Sequence, residues 1–339
     1  MTMKLAVIGN WGHFPQVLNE IRDNPEFRIV AFAKGTEAER LDPLPRKFPM
    51  GAGAALYDDY RRMLAAHQPD AVIVSTRLDR IADIARDAAH AGAHLFCEKP
   101  LALDHASLRS LWDTVGARGV QCFALLNNRS HPLLAAAAEA VREGRIGDVA
   151  LLNARKSYRF GTRPDWFGER RMYGGTIPWI GIHALDFIDA VSPVPVSSVS
   201  AAHANIAHPE RPACEDVCAL QLQRDDGSLA TASLDYLRPD SAETHGDDWL
   251  RIVGSNGIIE VAMDRGQATI ATTGQPPSDL PPLPSEAYYL PLLHSLADGS
   301  PPPPSPATRR SFLLTQIALC ARDAADEHAV RSIPDAPWQ

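Results

Sequence analysis

The sequence has 339 residues, 45% hydrophobic and 22% charged, which suits a globular protein of two ordinary domains. Its formal net charge of −8 argues against a general nucleic-acid-binding protein, and its apolar runs are well short of the roughly 20 residues that span a bilayer. With no signal-peptide pattern and five scattered cysteines that fit reduced thiols, we expect a cytoplasmic protein without membrane or nucleic-acid partners.

Short apolar runs alternate with helical patterns through the first 125 residues. The runs are continuous, which is typical of parallel strands buried on both faces. We therefore predict an α/β fold with a doubly wound parallel sheet, whose ligands bind at the carboxyl ends of the strands. The predicted strands are 4–8, 27–33, 71–75, 93–97 and 120–125, and the predicted helices are 15–22, 57–67, 79–91 and 105–117.

The pattern changes after about residue 126. Short segments of alternating apolar and polar residues, separated by turns such as Asp225-Asp226-Gly227, indicate an α+β region with a large, mostly antiparallel open sheet. Proline-rich segments at 276–284 and 300–306 are predicted to be linkers or surface loops. The predicted strands are 149–158, 218–223, 229–236, 250–253 and 258–262, and the predicted helices are 132–143 and 311–327.

A glycine-containing turn follows the first predicted strand, where dinucleotide-binding proteins place their phosphate-binding loop. Glycine permits a tight turn and brings backbone N–H groups close to a pyrophosphate. In the pattern G-x-G-x-x-G, Gly9 fills the first position, but Trp11 and Phe14 occupy the other two and Gly12 is out of register. The turn therefore either binds a cofactor or is an ordinary strand-to-helix connection. The candidate cofactor-binding residues here are Gly9, Asn10, Trp11, Gly12, His13 and Phe14.

Lys34 follows the second strand, where NAD-binding proteins usually carry an acidic residue for the adenosine ribose. A cation there favours the 2′-phosphate of NADP, so we predict NAD or NADP with a weak preference for NADP. The alternative is a solvated loop lysine. The other candidate cofactor-binding residues, all beyond the ends of later strands, are Ser75, Thr76, Glu98, Lys99 and Asn127.

Two motifs carry the candidate catalytic residues. Lys99 lies in Cys97-Glu98-Lys99-Pro100 at the end of a predicted parallel strand, where an ammonium can stabilise a developing alkoxide. His183 ends a segment rich in small residues, which would allow a ligand to approach closely. The structural alternatives are a salt-bridged surface lysine and a histidine with a purely structural role.

Segment 155–171 holds six cations and two acids in an otherwise acidic chain. This excess favours either an anionic ligand, such as a sugar acid or a phosphate, or a salt-bridged loop at a subunit interface. Tyr158, Arg163 and Trp166 are candidate substrate-binding residues in this segment. The later loops that contain Arg238 and His245 are candidates to close the substrate pocket.

We predict no metal site. Cys214 and Cys218 lack the two-residue spacing that is usual for zinc ligands. His203 and His208 lie upstream, so a zinc site is the less favoured alternative to buried thiols.

CEKPLAL, followed by a glycine-rich segment that ends in GIHALD, resembles the Gfo/Idh/MocA oxidoreductases, which include glucose–fructose oxidoreductase and inositol dehydrogenase. The resemblance extends over most of the chain, and EKP combined with G-x-H is specific. It implies an N-terminal Rossmann domain over 1–125 and an α+β domain over 126–339 that forms homodimers or homotetramers through its sheet. It also implies NAD(P)-linked oxidation of a hydroxyl on a sugar, polyol or sugar acid, or the reverse reduction.

The resemblance also implies roles for individual residues. Lys99 matches the lysine of the family motif, and His183 matches the catalytic histidine that accepts the hydroxyl proton as hydride leaves for nicotinamide. The family usually has Asp four residues before that histidine, whereas this chain has Trp179, which could offer a flat face to a sugar ring. Two alternatives stay open: a non-redox enzyme that cleaves or eliminates glycosides with tightly bound NAD, and an inactive sugar-binding or regulatory relative.

Overall fold

The structure, a computed structural model, describes residues 2–299 and 302–339. The described residues form two compact units, and each unit is presented by itself. The first comprises 2–125, 287–299, 302–315 and 337–339, and the second comprises 126–286 and 316–336. The sequence analysis placed a single boundary at residue 125 and assigned 126–339 to the second domain, so it did not include the return of the chain to the first unit after residue 286. Part of the predicted loop 300–306, residues 300 and 301, lies outside the described residues.

The helices and strands are numbered in chain order. The strands are β1 Met3–Ile8, β2 Phe27–Ala33, β3 Ala55–Tyr57, β4 Ala71–Val74, β5 His94–Cys97, β6 Cys122–Ala124, β7 Val149–Ser157, β8 Val196–Ala204, β9 Val217–Arg224, β10 Leu229–Asp235, β11 Trp249–Gly254, β12 Gly257–Ala262, β13 Gln267–Thr272, β14 Gln275–Asp279 and β15 Arg331–Ser332. The helices are α1 Phe14–Glu20, α2 Leu44–Lys47, α3 Tyr60–His67, α4 Ile81–His90, α5 His105–Arg118, α6 Pro132–Arg142, α7 Arg170–Tyr173, α8 Ile182–Val191, α9 Tyr289–Asp298 and α10 Pro306–Glu327. The described helices include none that is both long and apolar enough to cross a membrane.

The first unit contains a six-stranded sheet in the order β3-β2-β1-β4-β5-β6. Every neighbouring pair in it is parallel, which confirms the predicted doubly wound sheet. β4 is buried along its whole length, as its continuous apolar run predicts. The strand order reverses between β1 and β4, so the carboxyl ends of these two strands define the position where such sheets bind nucleotides.

The first unit contains three elements that were not predicted: the short helix α2, the strand β3 and the helix α9. β3 ends at Tyr57, the first residue of the predicted helix 57–67. The observed helix α3 begins at Tyr60, because the Asp59 side chain caps it by accepting a hydrogen bond from the Arg61 N–H at 2.9 Å. The unpredicted helix α9 packs into the core of the first unit, where Tyr289 is fully buried. The carboxylate of Glu20 accepts hydrogen bonds from the N–H groups at the start of α9, which explains why this segment belongs to the first unit.

The second unit contains a nine-stranded sheet in the order β14-β13-β12-β11-β7-β10-β9-β8-β15. β7 and β10 are parallel and the other neighbouring pairs are antiparallel, which confirms the predicted mostly antiparallel sheet. Along β9 buried and outward-facing residues alternate, and α8 packs against β7 and β10. At β9 the sheet thus has a buried face and an outward face with the small and polar residues Ala219, Gln221 and Gln223.

Four strands of this sheet were not predicted: β8, β13, β14 and the two-residue strand β15. β8 and β13 carry many Ser, Ala and Thr residues, so their apolar alternation is weak in the sequence. β14 lies in the segment that was predicted to be a linker, because its prolines argue against a strand. β14 is at the edge of the sheet, where a proline that lacks an N–H group interrupts no ladder on the open side.

Candidate functional site

The turn after β1 requires glycine at two positions. Gly9 and Gly12 both have positive φ angles, 96° and 99°. A Cβ on Gly9 would overlap the carbonyl oxygen of Ser75, and a Cβ on Gly12 would overlap the carboxylate of Glu98. The Trp11 N–H donates to the Ser75 carbonyl at 3.0 Å, and the Ser75 hydroxyl donates to the Trp11 carbonyl at 2.6 Å. The turn therefore packs closely against the residues that follow β4 and β5, Ser75 and Glu98.

The same turn presents backbone donors that suit an anion. In the part of the chain that the structure describes, the N–H groups of Asn10, Gly12 and Phe14 have no hydrogen-bond acceptor. Three such donors at the carboxyl end of the first strand fit the pyrophosphate of a dinucleotide. The Phe14 ring is buried against Phe48 at a centroid distance of 5.6 Å, so Phe14 has only its backbone to offer.

The buried side chain of Glu98 contacts this turn at His13. Its carboxylate is fully buried, accepts a hydrogen bond from the His13 N–H at 2.6 Å, and lies 2.9 Å from His13 Nδ1. Burial would raise the pKa of Glu98, but its contacts with His13 and the nearby charge of Lys99 hold that pKa below its ordinary value. An ionised Glu98 thus positions the turn.

The end of β2 carries a carboxylate that the sequence analysis missed. Glu39 accepts hydrogen bonds from the Gly35 N–H at 2.6 Å, the Thr36 N–H at 3.2 Å and the Thr76 hydroxyl. Lys34 Nζ forms a salt bridge with Asp58 at 2.7 Å, and the hydrogen bond that Lys34 donates to Asp58 raises the pKa of Lys34. The charge at this position is therefore a buried carboxylate beside a lysine that is already paired.

Lys99 follows β5, on the edge of the first sheet that also bears the glycine turn and Ser75. It is 1% exposed, and its backbone N–H donates to Glu98 Oε1 at 3.1 Å. The structural alternative for Lys99, a salt-bridged surface lysine, does not describe such a buried residue. A buried ammonium next to an ionised carboxylate has the character of a binding or catalytic group.

His183 is the second residue of α8, which directly follows a wider π-helical turn over Ile177–Gly181. Such turns are frequent at functional sites. The imidazole is 7% exposed, and its Nδ1 lies 3.2 Å from the side-chain nitrogen of Asn128. Asn128 was not among the predicted site residues, although it stands next to Asn127, which was.

Arg129 holds Asn128 in place against α8. Its guanidinium forms salt bridges with Asp186 at 2.6 Å and with Asp189 at 2.8 Å. Asp186 lies three residues after His183, so both face the same side of the helix. The Asn-Arg pair after β6 is therefore joined to the GIHALD motif by direct side-chain contacts.

Aromatic residues surround the π-helical turn. Trp179 is 5% exposed and packs edge-on against Phe167, with ring centroids 6.2 Å apart. Trp166 also contacts Phe167, at 4.6 Å. The buried indole of Trp179 has little surface left for the predicted stacking on a sugar ring, because Phe167 packs against it.

Four of the six cations in segment 155–171 are paired with carboxylates. Arg155 lies 2.8 Å from Asp247, and Lys156 is bound to Asp248. Burial would lower the pKa of Lys156, but Tyr158 and Asp248 raise it above its ordinary value. The other two paired cations are Arg170, bound to Glu215 and Asp326, and Arg171, bound to Glu169. Arg159 and Arg163 remain.

The histidines of the alternative zinc site pair with carboxylates, and its cysteines are buried. Cys214 and Cys218 are buried thiols, and His203 Nε2 lies 3.2 Å from Asp326. His208 is paired with the buried Asp216 at 3.1 Å. Over residues 2–299 and 302–339 no group of three or more His, Cys, Asp or Glu side chains could hold a metal ion.

The comparisons with known proteins match both units. Residues 3–125 match the oxidoreductase family with an NAD-binding Rossmann fold, and residues 134–260 match the GFO/IDH/MocA C-terminal domain. The chain belongs to the Gfo/Idh/MocA oxidoreductase family. The resemblance seen in CEKPLAL and GIHALD is thereby confirmed, as are the Rossmann fold and its NAD-binding character.

Two relatives and one solved structure illustrate the similarity. The chain is 27% identical to D-apiose dehydrogenase of Paraburkholderia graminis over 84% of this chain and 76% of that protein. It is 26% identical to inositol 2-dehydrogenase of Rhizobium meliloti over 81% of this chain and 80% of that protein. A solved structure from Thermotoga maritima, named as an oxidoreductase, has a TM-score of 0.90 and 31% identity and covers 98% of this chain and 100% of that chain.

The predicted site residues fall into two groups, one in each unit. Glu39, Asn128 and Arg129 were missed as site residues. The sequence carried a usable signal only for Asn128, which belongs to the Asn-Arg pair that follows β6 after three residues. The first unit holds Gly9, Asn10, Trp11, Gly12, His13, Phe14, Lys34, Ser75, Thr76, Glu98 and Lys99, and the second holds Asn127, Tyr158, Arg163, Trp166, Trp179 and His183.

Proposed function

We propose that the protein is an NAD(H)-dependent dehydrogenase that oxidises a hydroxyl of a sugar, polyol or sugar acid. The observation that carries the proposal is the turn at Gly9–Phe14, whose three N–H donors without acceptors fit a dinucleotide pyrophosphate. The names of the relatives, D-apiose dehydrogenase and inositol 2-dehydrogenase, support the substrate class.

Bound at the turn Gly9–Phe14, NAD would supply the hydride acceptor for oxidation of the carbon that bears the hydroxyl. His183 accepts the hydroxyl proton at Nε2, while Nδ1 keeps its hydrogen bond to the side-chain amide of Asn128. For that tautomer the Asn128 amide turns its oxygen toward Nδ1, which then donates. Lys99 donates a hydrogen bond to the substrate oxygen and stabilises its developing negative charge.

The test replaces the proposed catalytic groups. We expect Lys99→Ala and His183→Ala each to lower kcat for NADH formation by about 100-fold or more, because each loses a group that acts in the transition state. The measurement is NADH absorbance with a panel of sugars, polyols and sugar acids. The matched control is Lys47→Ala, which removes an exposed lysine of the same unit.

Binding measurements separate the proposal from its alternatives. NAD should raise the melting temperature of the wild type and of His183→Ala, because His183 is not part of the turn. Turnover of a glycoside without added cofactor by a protein that purifies with NAD would favour the non-redox enzyme. Stabilisation by sugars but not by NAD would favour the binding protein, and either outcome contradicts the proposed dehydrogenase.

We propose NAD(H) rather than NADP(H) as the preferred cofactor. The sequence favoured NADP because Lys34 follows β2, but Lys34 is paired with Asp58. The Glu39 carboxylate, held by the Gly35 N–H, would repel a 2′-phosphate and suits the ribose hydroxyls instead. Greater thermal stabilisation by NADP than by NAD would contradict this preference.

We also propose that copies of the chain associate through the outward face of the second sheet, as the family resemblance implies. The support is that the outward side chains of β9, among them Ala219 and Gln221, are exposed. The five unpaired thiols suit the reducing cytoplasm as the site of action. Sedimentation equilibrium gives the oligomeric state, and a monomer would contradict the proposed association.

A further inference from the structure

Arg159 and Arg163 differ from the other cations of segment 155–171. Neither has a carboxylate within 4.0 Å in the described residues, whereas the other four cations are all paired. A guanidinium remains charged at any physiological pH. The two charges are therefore available to an anion that the protein itself does not supply.

Arg163 is held in a partly desolvated position. Its guanidinium carbon lies 4.7 Å from the ring centroid of Tyr236 and 5.6 Å from that of Phe167. Its Nε is buried without a hydrogen-bond partner in the described residues, and Nη2 makes only a long bond of 3.4 Å to the Arg159 carbonyl. Aromatic faces stabilise and orient a cation, but they do not neutralise it. Such a site gains free energy when an anion binds.

Hydrogen bonds connect the region of Arg159 with two loops of the second unit. Arg159 is joined to the 244–246 loop by a hydrogen bond from its N–H to the His245 carbonyl at 3.1 Å, and the Arg238 N–H donates to the Tyr158 carbonyl at 3.2 Å. Burial, and then the charges of Arg163 and Arg159, lower the pKa of His245. Arg159 and Arg163 thus both lie close to the His245 imidazole, whereas Arg238, which is also near it, is paired with Asp247 at 3.8 Å.

Side-chain contacts connect this arginine cluster with the proposed catalytic histidine. Phe167, which packs against Arg163, also contacts Trp179 at a centroid distance of 6.2 Å. Trp179 lies four residues before His183, one helical turn earlier. All of these residues belong to the second unit, so the cluster adjoins the turn that presents His183.

We propose that Arg159 and Arg163 bind an anionic group, a carboxylate or a phosphate, on the sugar that His183 deprotonates. The inference rests on the proposed dehydrogenase function and narrows its substrate class to anionic sugars. The planar guanidinium of Arg163, which lies near the rings of Tyr236 and Phe167, suits such an oxyanion, which can accept two hydrogen bonds from it.

The experiment compares sugars that differ only in the anionic group. Hexoses, the corresponding uronates and aldonates, and hexose 6-phosphates are assayed with NAD for kcat and KM. We expect the preferred anionic sugar to exceed its neutral counterpart in kcat/KM. Arg163→Gln should lower that preference by about 10- to 100-fold, mainly through KM, as expected for a lost charge-assisted hydrogen bond. Arg159→Gln should also lower the kcat/KM preference for the anionic sugar.

Arg171→Gln is the matched control. Arg171 lies in the same segment, but its exposed guanidinium is bound to Glu169. The preference for anionic sugars should be unchanged in this variant. Neutral sugars oxidised as efficiently as anionic ones by the wild type, or an unchanged preference in Arg163→Gln, would overturn the proposal while leaving the dehydrogenase function intact.

A binding assay covers the case in which no sugar is turned over, which would count against the proposed function itself. The uronates, aldonates and sugar phosphates are titrated against thermal stability in wild type and in Arg163→Gln. Stabilisation by a sugar anion that is lost in the variant supports the site, and whether uronates or phosphates act identifies the anion. Equal stabilisation by inorganic phosphate alone, or none by any sugar anion, overturns it.

Discussion

Asn128 gives His183 a neutral neighbour where the family usually has a charged one. An Asp four residues before the histidine would favour the imidazolium, but this chain has Trp179 there. The Asn128 amide, 3.2 Å from His183 Nδ1, can present either its nitrogen or its oxygen to the ring. It can therefore serve both tautomers without stabilising a charge, and we assign Asn128 as a positioning residue for His183.

We expect Asn128→Asp to raise the pKa of His183, because a carboxylate stabilises the imidazolium. A base must be neutral to accept a proton, so the acidic limb of the kcat/KM profile for sugar oxidation should move to higher pH. The control is Asn153→Asp, because Asn153 lies on β7 and bonds Thr231. Superimposable pH profiles for the wild type and Asn128→Asp would contradict the assigned role.

At the scale of elements, the connection between β1 and α1 shows why the glycine pattern looked degraded. Its conformation is set by contacts with later strands. Gly9 is required by the Ser75 carbonyl after β4, and Gly12 is required by the Glu98 carboxylate after β5. Since those contacts do not depend on the G-x-G-x-x-G spacing, the turn keeps its N–H donors with Trp11 and Phe14 at the usual glycine positions.

We expect Gly9→Ala to destabilise the protein more than Gly92→Ala. Both glycines have positive φ, 96° and 89°, so both variants carry similar backbone strain. Only Gly9 also has a neighbour in the way, since nothing lies within 4 Å of a Cβ at Gly92. The difference in free energy of unfolding by denaturant should be about 1–3 kcal/mol, the usual range for overpacking.

Gly9→Ala should also weaken the stabilisation by NAD, whereas Gly92→Ala should not. Equal losses of stability in the two variants would show that the overlap with Ser75 is relieved at little cost.

At the scale of the whole molecule, each unit contains a buried carboxylate that folding keeps ionised. For both Glu98 and Asp216 burial opposes the charge, but hydrogen bonds hold the pKa below its ordinary value. Glu98 is bonded mainly by His13, and Asp216 is bonded by the N–H groups of Ala207 and Ile206 and by His208. A carboxyl whose pKa is lower in the folded state stabilises the protein above its unfolded pKa, and the stability is lost as the pH falls through the folded pKa.

We therefore expect the melting temperature to fall as the pH is lowered below roughly 4, the unfolded pKa of these groups. Glu98→Gln should be less stable than the wild type at neutral pH and should lose less stability on acidification, because that carboxyl no longer takes up a proton. Glu37→Gln, which alters an exposed glutamate of the same unit, is the control. A parallel acid transition in wild type and Glu98→Gln would contradict this assignment.

The sequence by itself determined the class of both units and the motifs of the site. Continuous apolar runs predicted the parallel sheet, because burial on both faces of a strand depends only on local composition. CEKPLAL placed Lys99 at the end of a parallel strand, and GIHALD placed His183 in a helical pattern. Both were readable from the sequence because each motif is contiguous in the chain. The elements that escaped were those with a weak local signal, such as β8 and the proline-containing edge strand β14.

Only the tertiary structure decided which charges are neutralised and which side chains meet. In the sequence Arg163 and Arg170 look alike, yet Arg170 is bound to Asp326, 156 residues away, and Arg163 has no carboxylate near it among the described residues. The contact of Asn128 with His183 spans 55 residues, and that of Glu39 with Thr76 spans 37. Hydrogen bonds and salt bridges depend on distances in space, and spacing along the chain carries no record of them.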